Sequence, residues 1–213
     1  MTNSKPTPDQ IAEYLRLAIL RGQLKANEPI RQDKIAAELG ISKVPLREAL
    51  AHLETEGLVA LHMNRGAFVT PLSAAEASEL YVIRTALETI TLEKAVPVLT
   101  ATDLVQAENV LRLMDIETDP ARWNELNWQF HLHLYQPAKL PQTLKILGPL
   151  HLRVARYLVL YLGSLGFQER SQQEHYAILH ACQMRDSPQA SHLLRQHLDN
   201  AAQMLAEALA ASP

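Results

Sequence analysis

Cysteine is almost missing from this chain. Cys182 is the only one in 213 residues, so no disulfide can form within it, and a reducing cytosol suits such a composition. Long apolar runs are missing too. None approaches the roughly 18 residues that a membrane-spanning helix needs, and the apolar stretch 157–162 is far too short. The opening MTNSKPTPDQ holds no apolar segment and does not read as a secretory signal. There is no excess of cations. The net charge is −3, with nine Lys and Arg against eight Asp and Glu in residues 1–72, and eleven against fifteen in the rest. Binding to nucleic acid would therefore rest on a local patch rather than on the field of the whole molecule. No HExxH, nucleophile elbow, phosphate loop or CxxC is present, and there is no internal repeat or low-complexity segment. What remains is ordinary for a globular chain, with 47% apolar and 20% charged residues. The length allows one large domain or two small ones.

The most informative stretch is Gln32 to Val69, QDKIAAELGISKVPLREALAHLETEGLVALHMNRGAFV. A short helix ends at Gly40, a residue that accepts the left-handed backbone of a helix end. Ile41 can pack between this helix and the next, which Ser42 can cap through its hydroxyl. Lys43 and Arg47 stand one turn apart and project from one face. A compact helix pair with cations at the start of its second member is the layout of a helix-turn-helix, whose second helix enters the major groove. Lys34, Lys43, Arg47 and Arg65 can supply the local basic patch. Two strands are expected at Leu58–Leu61 and Ala67–Thr70, joined by a turn through Asn64, Arg65 and Gly66. Upstream, Thr7, Pro8 and Gln10 form a capping box for a first helix that Gly22 ends. This first domain spans residues 1–71.

Residues 72–213 read as helical throughout. Ser73 to Glu76 forms a second capping box. Pro97 stops the helix that follows, and Thr100 or Thr102 opens another. Asp119-Pro120 and Ser187-Pro188 are cap-plus-proline starts. Pro141 opens a further helix, and Pro149 should kink or divide it. A loop is expected at Gly163–Gly166. Six or seven amphipathic helices without a strand pattern imply an antiparallel bundle. The fold class is thus mainly α, an N-terminal winged helix-turn-helix followed by an all-helical antiparallel bundle.

Seven of the nine histidines lie beyond residue 130. Asn127 and His131 are four apart and share a helix face. His175 and His197 sit on two later helices. Spacing alone is a weak sign: any one of the histidines is more often a surface residue or a satisfied core residue, though converging inside a bundle the four could hold a divalent transition metal. His133, His180 and His192 fall off the faces of their neighbours.

Residues 7–71 resemble the winged helix-turn-helix of GntR-family bacterial transcription regulators, through IAAELGISKVPLREALAHLETEGLV and the wing NRGAFV. The second domain is similar to the helical effector-binding FCD domain of the FadR-type branch. Its signs are IRTALETITLEKA, NWQFHLHL, QEHYAILHA and LRQHL. The resemblance implies a homodimeric regulator of double-stranded DNA with a palindromic operator. Its affinity for that site would be set by a small effector, often a carboxylate.

The same resemblance places a metal site on Asn127, His131, His175 and His197, with Asn where the family usually has Asp. An amide brings no negative charge, so the site would bind weakly or need an anion to complete it. Zinc or nickel suits ligation by imidazoles better than manganese. DNA contacts fall on Ser42, Lys43, Arg47, Arg65 and Gly66. Arg47 has the fork for guanine O6 and N7, though it could instead pair with Glu48 or Glu54. A further family contact position falls on Asp33, an acid that cannot hold phosphate, leaving Arg31 or Lys34 to substitute. Arg84 either holds an effector carboxylate or pairs with Glu88. Arg153, Arg156, Tyr157 and Tyr161 could line the same cavity, while Trp123 and Trp128 belong to the core.

Two other functions compete with a ligand-responsive regulator. A His–metal centre with Glu174 beside it could activate water for hydrolysis, against which stand the missing catalytic motifs and the helix-turn-helix. A metal could also be purely structural, with no effector. No membrane role is expected.

Overall fold

The computed structural model describes residues 5–162 and 167–211, and their side chains except those of residues 156, 160–162 and 211. Arg156, Tyr161 and the expected loop Gly163–Gly166 lie outside these. The chain divides into two compact units, Met1–Leu72 and Ser73–Pro213.

The first unit holds α1 (Pro8–Leu20), β1 (Pro29–Ile30), α2 (Gln32–Leu39), α3 (Lys43–Thr55), β2 (Val59–His62) and β3 (Gly66–Val69). Thr7 and Gln10 close the expected capping box on α1. Gly40 takes φ 62° at the end of α2, so a side chain there would be strained. The helices bury Leu15, Ile19, Leu46, Leu50 and Leu53 together with Leu58 and Val69 from the sheet side, and Ile41 packs against this core. Three strands pair antiparallel in the order β1-β3-β2. The wing strands sit one residue from their expected bounds. β1 was not legible in the sequence, because two residues carry no periodicity. The wing tip turns through Asn64 at φ 61° and Gly66 at φ 89°.

The second unit holds α4 (Ala74–Ala95), α5 (Ala101–Ile116), α6 (Pro120–Tyr135), α7 (Pro141–Leu162), α8 (Phe167–Gln183) and α9 (Ser187–Ala211) among the described residues. Short 3-10 turns follow α4 and α6. α4 packs along α9 and also meets α7, α5 packs on α6 and α8, and α6 meets α7. Thr100 caps α5 in a reciprocal box with Asp103. Asp119 and Pro120 start α6 as the sequence implies.

Four local expectations are corrected. Ser42 occupies the cap position of α3 but makes no side-chain capping bond. Ser73 accepts from the Glu76 amide, but the Glu76 carboxylate turns to Arg153 of α7 rather than back to the cap. The capping side chain at the start of α9 is Asp186, not Ser187, since it accepts from the Gln189 amide at 3.0 Å. Pro149 lies inside α7, so of the expected kink or division it is the division that fails. Its neighbour Gly148 has no Cβ, and that atom is part of the clash that drives a residue before proline out of helix.

Candidate metal centre

α6, α8 and α9 each bring one histidine to the interior of the second unit. His131 is 1% exposed, His175 0% and His197 5%. One ligand nitrogen from each lies within 4.8 Å of the other two, and among the described residues this is the group suited to a metal ion. The ring centroids stand 5.2 Å (131–175), 5.5 Å (131–197) and 4.6 Å (175–197) apart. Phe130 closes the apolar side at 5.1 Å from His131 and 5.0 Å from His175.

The outer bonds of the three rings fix their chemistry. Nδ1 of His197 meets Glu174 Oε2 at 2.8 Å. A carboxylate only accepts, so Nδ1 of His197 carries a proton and is the donor. Glu174 is held by two further donors, Asn200 Nδ2 at 2.7 Å and Arg170 Nε at 3.1 Å. Half-burial pushes its carboxyl up, but the bonds outweigh this and hold it below the ordinary carboxylate range, with the bond from His197 the largest of them. Nδ1 of His175 faces Gln172 Oε1 at 3.4 Å. Gln172 is oriented by donating Nε2 to Leu111 O and Asp115 Oδ1, both at 2.8 Å. Nδ1 of His131 lies 3.2 Å from the Tyr135 hydroxyl.

Nε2 of His131 and Nε2 of His175 are buried and find no partner among the described residues. Buried polar atoms are rarely left so. Burial, with the neighbouring imidazoles next, pushes both rings well below the ordinary histidine value and keeps them neutral. Neutral imidazoles with outer nitrogens bonded and inner nitrogens bare are the donor set a zinc-type ion takes. Asn127, one turn before His131, is buried, and its Oδ1 is also unpartnered.

The structure separates other residues that the sequence grouped. His180 and His192 are exposed and His133 is half-buried, away from the triad. Arg84 and Glu88 form a fully buried ion pair at 2.8 Å, and the Arg84 guanidinium also sits over the Tyr81 ring at 4.8 Å. Arg153 pairs with Glu76, and Tyr157 is buried. Trp123 is core, 6.1 Å from His175. Trp128 stacks at 4.7 Å on His151.

His151 escaped the sequence reading. It is buried on α7, where burial pushes it well below the ordinary value. Asn124 Nδ2 lies 3.5 Å from its Nε2, while His151 Nδ1 and Asn124 Oδ1 lack partners among the described residues. The available signal was the stripe Asn124, Asn127, His131 at helical spacing on α6.

In the first unit, Lys43 pairs with Asp33 at 2.6 Å and Lys34 with Glu38 at 3.7 Å, all on the surface. Arg31, Arg47 and Arg65 are exposed and make no ion pair among the described residues. Ser42 and Gly66 are exposed as well.

A profile described as the FCD domain matches residues 79–200, and one described as bacterial regulatory proteins of the gntR family matches residues 7–69. The chain is 25% identical over 198 residues to the HTH-type transcriptional repressor RspR of Escherichia coli K12, covering 92% of this chain and 87% of that protein. It is 30% identical to a solved GntR-family transcriptional regulator from Pseudomonas syringae pv. tomato, covering 98% of this chain and 90% of the other with a TM-score of 0.61. A putative GntR regulator from Rhodococcus sp. RHA1 shares the fold, with a TM-score of 0.81 at 21% identity over 97% of this chain and 99% of the other.

Proposed function

The chain belongs to the gntR family of bacterial regulatory proteins and carries an FCD domain, and from that premise we propose that a small carboxylate controls its hold on DNA through a metal centre in the second unit. Membership makes it a transcription regulator with a DNA-binding helix-turn-helix. The observation that carries the rest is the buried triad, with three outer nitrogens bonded and two inner nitrogens bare.

His131, His175 and His197 would hold the ion through Nε2, with Asn127 Oδ1 as the further donor. Zinc or nickel suits this set. When bound, the ion supplies positive charge that attracts an anion. The chain's own ligands would be three imidazoles and an amide, none of them an anion, so they leave that charge uncompensated. An anionic ligand gains more here than beside a carboxylate.

DNA contact is assigned to Ser42, Lys43, Arg47, Arg65 and Gly66, with Arg31 and Lys34 at the edge of the patch. Arg47 is the base reader, since it is exposed, unpaired and on the recognition helix α3. Two copies would meet a palindromic operator. The exposed apolar row Val82, Ala86 and Ile90 on α4 supports pairing of two chains. α4 directly follows residues 70–73, so a ligand that favours one placement of α4 can bias the reading heads, provided it binds that placement more tightly.

A second reading keeps the metal and drops the effector. It is favoured by the engagement of two expected anion holders, Arg84 with Glu88 and Arg153 with Glu76. Melting of the zinc-loaded protein with a panel of small carboxylates separates the two. Upward shifts that need both zinc and a carboxylate, with a matching change in operator affinity, support control by an effector. Shifts with zinc alone leave a structural ion.

A further inference from the structure

Four buried side chains run in one line from α4 to the triad. Arg84 Nε donates to Glu88 Oε1 at 2.8 Å. The Tyr135 hydroxyl donates to Glu88 Oε2 at 2.7 Å. His131 Nδ1 lies 3.2 Å from the same hydroxyl. Exposure along the line is 3%, 0%, 0% and 1%, so bulk water does not reach these partners.

The proton count leaves one arrangement. A tyrosine has one hydroxyl proton, and a carboxylate has none to give. Two acceptors compete for that proton, Glu88 Oε2 and His131 Nδ1. The carboxylate wins, because its bond is charge-assisted and shorter. Giving the proton to His131 instead would strand Oε2 in a site with no exposure, at the cost of an unpaired buried acceptor. The tyrosine oxygen is then only an acceptor, and His131 Nδ1 must be the donor.

We propose that Glu88, acting through the Tyr135 hydroxyl, is a positioning residue that holds His131 in the tautomer with Nε2 bare and its ring aimed into the triad. The inference rests on the metal reading above and adds what α4 contributes to it. His175 and His197 take their outer partners from α8 itself, at Gln172 and Glu174. His131 alone of the three is oriented from α4, through Tyr135 at the end of its own helix. α4 thereby carries part of the metal site without supplying a ligand.

A purely structural network of these four residues would matter for folding and not for the ion. The Tyr135→Phe variant separates the two, because it keeps the ring and removes only the hydroxyl. Cobalt(II) is the probe, bound to untagged full-length protein in competition with a chromophoric chelator, with the visible d–d spectrum recorded. We expect the variant to bind cobalt about 10- to 100-fold more weakly than the parent, with an altered d–d spectrum. Glu88→Gln should weaken binding in the same direction, since a neutral amide is the poorer acceptor. It serves as the second variant should Tyr135→Phe fail to fold. Parent-like affinity and spectrum in a folded variant, with the parent loading normally, overturn the positioning role alone. A parent that binds no cobalt overturns the metal reading and this role together.

Discussion

At the scale of single residues, the recognition helix shows how an ion pair can set DNA affinity. Lys43 is a natural phosphate anchor, yet Asp33 holds it at 2.6 Å on the surface. Asp33→Asn should free it. Affinity for a random-sequence duplex is expected to rise, and the slope of log K against log salt should steepen by about 0.9 between roughly 50 and 200 mM. An unchanged slope would mean that Lys43 does not meet phosphate. Arg47 has no such partner among the described residues, and Arg47→Ala should cost ~1–3 kcal/mol on an operator selected from random duplexes and relax the preference at the base it reads. Normal binding by this variant would place the recognition helix elsewhere. The sequence made both cations legible because their spacing on α3 is a local property. It could not show the Asp33 pair, which closes between α2 and α3 across the turn at Gly40.

At the scale of elements, the sequence carried the helices whose ends have caps or prolines. Thr7, Thr100, Asp119 and Pro141 mark starts that the structure places where the local chemistry puts them. It failed where tertiary partners compete for the capping group, as when Glu76 turns to Arg153, and where an element is too short to have a period, as in β1. The triad was legible in part. His131, His175 and His197 lie on inward faces, but the bonds that set their tautomers come from Tyr135, Gln172 and Glu174, whose roles have no sequence signature.

The interior of this helical unit also gives a pH dependence. His131, His151 and His175 are all held well below the value of 6.5 that an unfolded histidine has. Below that value the unfolded chain takes up protons that the folded interior refuses, so stability falls with pH. The metal-free protein should therefore melt at progressively lower temperature between about pH 7.5 and 5.5, a window in which ordinary carboxylates do not titrate. A flat or rising melting temperature there would contradict neutral, buried imidazoles.

At the scale of the whole molecule, the chain has two compact units. The first places exposed cations on a recognition helix and a wing. The second keeps a layer of polar groups inside an otherwise apolar bundle. Such a layer costs stability unless something satisfies it. The unpartnered atoms of Asn124, Asn127, His131, His151 and His175 are the feature that a simple helical scaffold would not keep. Two copies joined through the α4 row would present two recognition helices, and sedimentation should find a dimer that Val82→Lys with Ile90→Lys converts to monomer. A dimer unaffected by those charges would move the interface to another face.

The measurement that bears most directly on this account is elemental analysis of the untagged protein beside the His131→Ala, His175→Ala double variant. About one zinc or nickel per chain is expected in the parent, held by the single histidine group of the second unit, and none in the variant. A parent free of metal, or a variant that retains it, would contradict the centre proposed here.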